Sequence, residues 1–159
     1  MTDVVSDTER LVAVDAIREV MAWYVYYADH AEWGKLAGLF TPAASFRTYG
    51  PRDELYLDLT GPREIEDTIR GSVGNARAIH HLFSYTAEVQ STTSASIVVN
   101  MEDLITPPDD GSGGAVQLGD VTFTSVHGYG HYRCDLVKVE GTWKIDKLVQ
   151  TRLRMDFAQ

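Results

Sequence analysis

From residue 78 onward the chain changes its hydrophobic period, and this switch limits its folds more than any other feature. Four segments, 78–90, 94–106, 116–139 and 142–155, are rich in β-branched and aromatic residues and read as strands. That much sheet needs a cover for at least one apolar face, and the first half of the chain supplies it. Val14, Ile17, Met21, Tyr24 and Ala28 recur at three- and four-residue steps, the stripe of an amphipathic helix reaching about Asp29. Ser6-Asp7-Thr8-Glu9 before it has the spacing of a capping box.

A shorter helix is expected over 31–40, stopped by Pro42, then strands over 43–49 and 55–59. Gly61-Pro62 opens a third helix carrying Ile65 and Ile69 and ending near Gly71. Pro107 to Gly114 reads as a flexible hairpin loop and Glu140-Gly141 as a tight turn. With no repeat and no long linker, residues 1–159 are expected to form a single domain. Helices first and antiparallel sheet second predict an α+β fold with the helices on one face.

Charge and cysteine content narrow the function classes. The 159 residues carry 14 basic and 23 acidic side chains, a net charge of −9. Binding nucleic acid or an anionic membrane requires a basic face, so neither is an expected partner. A single cysteine, Cys134, cannot form an internal disulfide, which suits a reducing compartment. Its apolar strand context suggests a buried small hydrophobe. The acidic start, Met1-Thr2-Asp3-Val4-Val5, does not resemble a signal peptide, and no apolar run approaches the roughly 18 residues of a membrane span. A cytoplasmic location is the expectation.

Strand parity picks out candidate chemistry, because alternate side chains face opposite ways. In 94–106 the odd positions Ala95, Ile97, Val99, Met101 and Ile105 are apolar, and Asp103 falls among them. A carboxylate on a covered face needs a cation, a donor or a proton. The same parity in 78–90 turns His81 inward with Ile79, Phe83 and Tyr85, and turns His80 outward. In the last segment Trp143 and Ile145 are odd, whereas Leu148, Gln150 and Arg152 are even, which implies a bulge near Lys147. Arg152 would then face inward toward Asp103, with Arg154 as the competing cation. Tyr24 lies on the helix stripe, either as core or as a functional hydroxyl. Asp29 at the helix C-terminus opposes the macrodipole, so it has either a specific partner or solvent.

Other chemistries lack their residues. His127 and His131 lie roughly 13 Å apart along a strand, too far for one metal ion. No cysteine–histidine cluster, phosphate-cradling glycine loop or Gly-x-Ser-x-Gly elbow occurs. Neither a metal nor an organic cofactor is expected.

Taken in order, several runs resemble SnoaL-like proteins of the NTF2-like superfamily. They are Tyr24-Val25-Tyr26-Tyr27-Ala28-Asp29-His30-Ala31-Glu32-Trp33, Gly61-Pro62-Arg63-Glu64-Ile65, His80-His81, and Gly130-His131-Tyr132 through Gly141-Thr142-Trp143-Lys144-Ile145. The resemblance implies a cone-shaped curved antiparallel sheet wrapped on N-terminal helices, with a deep apolar pocket. Within the superfamily the chain is most similar to the scytalone dehydratase and bile-acid dehydratase branch. That likeness implies a site of Tyr24, Asp29, His81, Asp103 and Arg152, with His80 as the alternative histidine one residue away. The scytalone enzyme's tyrosine before the helix aspartate is replaced by Ala28.

The expected activity is a cofactor-independent dehydratase acting on a hydrophobic cyclic or polycyclic hydroxy-ketone. His81 would serve as base, Asp29 as its support and Tyr24 as donor to the carbonyl oxygen. Asp103 with Arg152 would position or protonate the leaving hydroxyl. A ketosteroid-type isomerase, a polyketide cyclase and a non-catalytic binding domain are the alternatives. Self-association into dimers or trimers is expected through the exposed sheet face bearing His127, Tyr129 and His131.

Overall fold

A computed structural model describes residues 5–110, 116–118 and 121–158. The expectations for Met1 to Val4 and for the tip of the loop at Gly111 to Gly114 lie outside the described residues. Helix α1 (Asp7–Asp29) opens on the capping box: the Ser6 hydroxyl accepts from the Glu9 amide at 3.3 Å, and Glu9 accepts from the Ser6 amide at 2.9 Å. Its buried residues, Ala13, Ile17, Met21, Tyr24 and Ala28, form one stripe facing the sheet.

Helix α2 (Trp33–Ala37) is shorter than expected. Gly38 caps it, the Leu39 carbonyl accepts from the Ile145 amide at 2.8 Å, and Phe40 pairs with Ile145. Sheet pairing therefore claims residues that helical spacing alone had assigned to the helix. Pro42 lies inside strand β1 (Phe40–Tyr49), which pairs with β2 (Leu55–Thr60). Helix α3 (Pro62–Val73) starts behind Gly61, whose φ of 85° favours a residue without Cβ, and buries Ile65.

The remaining strands are β3 (Arg77–Val89), β4 (Ser94–Thr106), β5 (Val116–Leu118), β6 (Val121–Phe123), β7 (Ser125–Val139) and β8 (Thr142–Ala158). The segment expected as one strand over 116–139 thus divides into three. β7 and β8 join through Glu140 and Gly141, both at positive φ, as a tight primed turn requires. The six-stranded sheet has the order β2-β1-β8-β7-β4-β3, with β1 and β8 parallel and the other neighbours antiparallel. β5 and β6 form a separate pair. This is an α+β architecture: a curved sheet with N-terminal helices on its inner face.

The core fills the space between that face and the helices. Ile17 and Met21 of α1 belong to one cluster with Ile97, Leu136, Ile145 and Leu148 of the sheet. Cys134 lies in it, 3.4 Å from the Met21 sulfur, and burial pushes its thiol well above the usual range. Such a thiol is packing material, with little thiolate character. Among the described residues no helix is long and apolar enough to cross a membrane.

Candidate active site

Three bulges decide which side chains reach the hollow under the helices. β4 runs unbroken against β7, so the inward parity of Ala95 through Met101 carries on to Asp103, which is 2% exposed. In β8 an extra residue sits where Ile145 and Lys147 oppose Leu136 and Asp135. This is the parity change that Trp143, Ile145, Leu148 and Gln150 announce, and it carries Arg152 inward. A second irregularity follows, where Arg152 and Arg154 face Gly130 and Tyr129. Arg154 turns to solvent and binds Asp156 at 2.8 Å.

The third bulge corrects the histidine. β3 slips against β4 between Leu82 and Tyr85, which oppose Met101 and Val99. Parity read along 78–90 as a regular strand is therefore inverted at its N-terminal end. Ala78 and His80 line the hollow, while Phe83 is 59% exposed. His81, expected as the inward base, points to the outer face and binds Glu102 at 2.9 Å. Glu102 also binds His127 at 3.2 Å, and Tyr129 contacts His127 at the same distance. Hydrogen bonds from His81 first, then His127, hold the Glu102 carboxyl below its usual pKa.

His80 takes the place reasoned for His81. Its Nδ1 lies 2.6 Å from Asp29 Oδ1, and its backbone N–H donates to Asp29 Oδ2 at 3.2 Å. Asp29 thus has a specific partner despite its adverse position on the α1 dipole. A carboxylate only accepts, so Nδ1 is the nitrogen that donates to Asp29, and in the neutral ring this tautomer leaves the lone pair on Nε2. That Nε2 is 4.0 Å from Asp103 Oδ2.

Asp103 and Arg152 form a bidentate pair at 2.7 and 2.6 Å. Burial works to lower the Arg152 pKa, but the Asp103 charge and its hydrogen bonds outweigh this and leave it raised. Both Asp103 oxygens accept from the guanidinium, so the carboxylate anchors a cation. Arg152 reaches Asp103 from β8 across β7, and Gly128 opens the way. A Cβ on Gly128 would sit 2.5 Å from both Arg152 Nη1 and Asp103 Oδ1. Glycine inside a strand signals such close approaches, and Gly128-Tyr129-Gly130 carried that signal.

Tyr24 completes the cluster with Tyr132, which sequence reasoning did not single out. Their rings meet edge to face with centroids 5.5 Å apart. Burial is the main cause of a large upward shift in both phenols. They remain neutral donors across ordinary pH.

Tyr24, His80, Asp103, Tyr132 and Arg152 line one cavity of about 100 Å³, whose other walls include Ala28, Phe46, Ile69 and Ile105. Asp29 supports His80 from behind. The arrangement offers a fixed imidazole base, two phenol donors and one buried cation within apolar walls. Among the described residues no group of three or more histidine, cysteine or acidic side chains could hold a metal ion.

A helix-covered curved sheet with polar groups gathered in the hollow defines the NTF2-like class. Within it the chain belongs to the SnoaL-like family, whose domain model matches residues 9–149. No curated protein matches it in sequence. Solved structures similar in fold include a candidate scytalone dehydratase from Novosphingobium aromaticivorans. That likeness has 21% identity and a TM-score of 0.76, covering 97% of this chain and 93% of the other. The hexachlorocyclohexane dehydrochlorinase LinA-type3 from Novosphingobium barchaimii is 19% identical, with a TM-score of 0.71 and coverage of 96% and 94%. The Kfla4162 protein of Kribbella flavida is 17% identical, with a TM-score of 0.73 and 94% of each chain covered.

Proposed function

We propose that the chain is a cofactor-independent lyase that eliminates water from a compact cyclic hydroxy-ketone. The observation that carries this is the His80 imidazole, held by Asp29 through Nδ1 and presenting Nε2 to an apolar cavity. Nε2 removes a proton from the carbon α to the carbonyl. The C–H electrons form the new double bond, the β C–O bond breaks, and the departing oxygen takes a proton to leave as water. Asp29 stabilises the imidazolium as it forms, the orienting part carboxylates take beside catalytic histidines.

Tyr24 donates to the carbonyl oxygen as enolate charge grows, with Tyr132 beside it. Arg152, fixed by Asp103, places positive charge near the developing oxyanion. The imidazolium, rather than Asp103, is the acid that returns the proton to the leaving hydroxyl. Dehydratase and dehydrochlorinase names among proteins of similar fold agree with an elimination. The pocket of about 100 Å³ suits a compact ring at the reacting end of the substrate.

A panel of cyclic β-hydroxy-ketones assayed by mass spectrometry tests this. Turnover should give a product lighter by one water. His80→Gln should lower kcat by at least ~10²-fold, in the range general base catalysis contributes, and His81→Gln should leave it within about twofold. A product of unchanged mass would replace elimination with isomerisation. Full activity in His80→Gln would remove the base.

A further inference from the structure

Beyond the acid–base cluster the cavity contains a second polar pair that the proposed reaction does not use. Thr48 and Gln150 are register partners on the parallel strands β1 and β8. They are 6% and 8% exposed, and both line the cavity. The Thr48 hydroxyl is buried without a hydrogen-bond partner, and the Gln150 side chain lines the cavity beside it. Valine would fill the Thr48 position without the cost of an unpaired hydroxyl. An unpaired buried hydroxyl beside an amide that lines the cavity points to a ligand that satisfies both.

We infer that Gln150 and Thr48 form a second recognition point, reading an oxygen function on the substrate edge away from the reacting carbons. This rests on the pocket being the substrate site. Gln150 and Arg152 share the inner face of β8 two residues apart, roughly 7 Å along the strand. One six-membered ring with an oxygen on each side spans such a gap. The side-chain amide of Gln150 donates to a carbonyl or accepts from a hydroxyl, and the Thr48 hydroxyl is the second partner of the same group. The substrate class is therefore a single-ring β-hydroxy-ketone with a third oxygen function, its carbonyl and leaving hydroxyl at the Tyr24–Arg152 end and the added oxygen at the Gln150 end.

Binding of 4-hydroxycyclohexanone and cyclohexanone, followed by NMR titration of the whole protein, tests the pair. Neither ketone has a hydroxyl on the carbon β to the carbonyl, so the proposed elimination consumes neither. The hydroxy-ketone should bind about fivefold or more tightly than cyclohexanone, as one added hydrogen bond gives. Gln150→Met should erase that preference while leaving cyclohexanone binding unchanged, and the near-isosteric Thr48→Val should reduce it. His80→Gln should preserve it. A preference that survives Gln150→Met, or no binding of either ketone, overturns the inference. Absence of dehydration across the substrate panel, with a Gln150-dependent preference intact, would sink the elimination and keep the recognition point.

Discussion

At the scale of single residues, the chemistry depends on which protonation states burial enforces. Tyr24 is held neutral chiefly by desolvation, with smaller contributions from Cys134 and Asp103. Its folded-state pKa is raised above the ordinary 10.0, so the phenol keeps its proton through pH 10 and loses it only beyond. The proposed donor therefore stays competent over the whole working range. Tyr24→Phe should lower kcat by about 10²-fold, as removal of an oxyanion donor does. The pH profiles of kcat for the wild type and Tyr24→Phe should run parallel between pH 8 and 10. A wild-type alkaline limb near pH 10 that vanishes in Tyr24→Phe would show the phenol ionising early and contradict the assignment.

Elements decide where those residues point, and here the limits of the sequence become physical. Asp103 was legible because β4 alternates without interruption and a carboxylate among Ile97, Val99 and Met101 stands out. Arg152 was legible because Trp143 and Ile145 change parity to Leu148 and Gln150, which exposes the bulge. The slip in β3 left no such mark. Phe83 is apolar yet 59% exposed, so apolar odd positions appeared to continue through His81. The helices were legible from their stripe and caps, except where pairing of Phe40 with Ile145 shortened α2.

Gly128 belongs at this scale too, since its effect is to let β8 reach β4 over β7. Gly128→Ala would place a methyl group against the Arg152–Asp103 pair. It should destabilise the fold by about 2 kcal/mol, within the range of overpacking. Urea unfolding with an unchanged m-value should report it as a lower midpoint. Wild-type stability in Gly128→Ala would mean that the pair does not cross there.

For the whole molecule, the fold's service is to join Asp29 at the end of α1 to His80 on β3, 51 residues later, over a cavity the sheet walls in. Tyr24 and Ala28, from the same helix, line that cavity, so packing of α1 on the sheet and assembly of the site are one event. The outer sheet face carries a different set, His81, Glu102, His127 and Tyr129, none of which reaches the hollow. The adjacent histidines His80 and His81 thereby serve opposite surfaces. The central claim is that Asp29 fixes His80 as a base with its free nitrogen toward the cavity. A long-range ¹H–¹⁵N spectrum of the imidazole rings at pH 8 reads this directly. It should show His80 protonated at Nδ1 and unprotonated at Nε2, with the Nδ1 proton far downfield and its shift lost in Asp29→Ala. A His80 ring protonated at Nε2, or one unchanged by Asp29→Ala, would contradict the account.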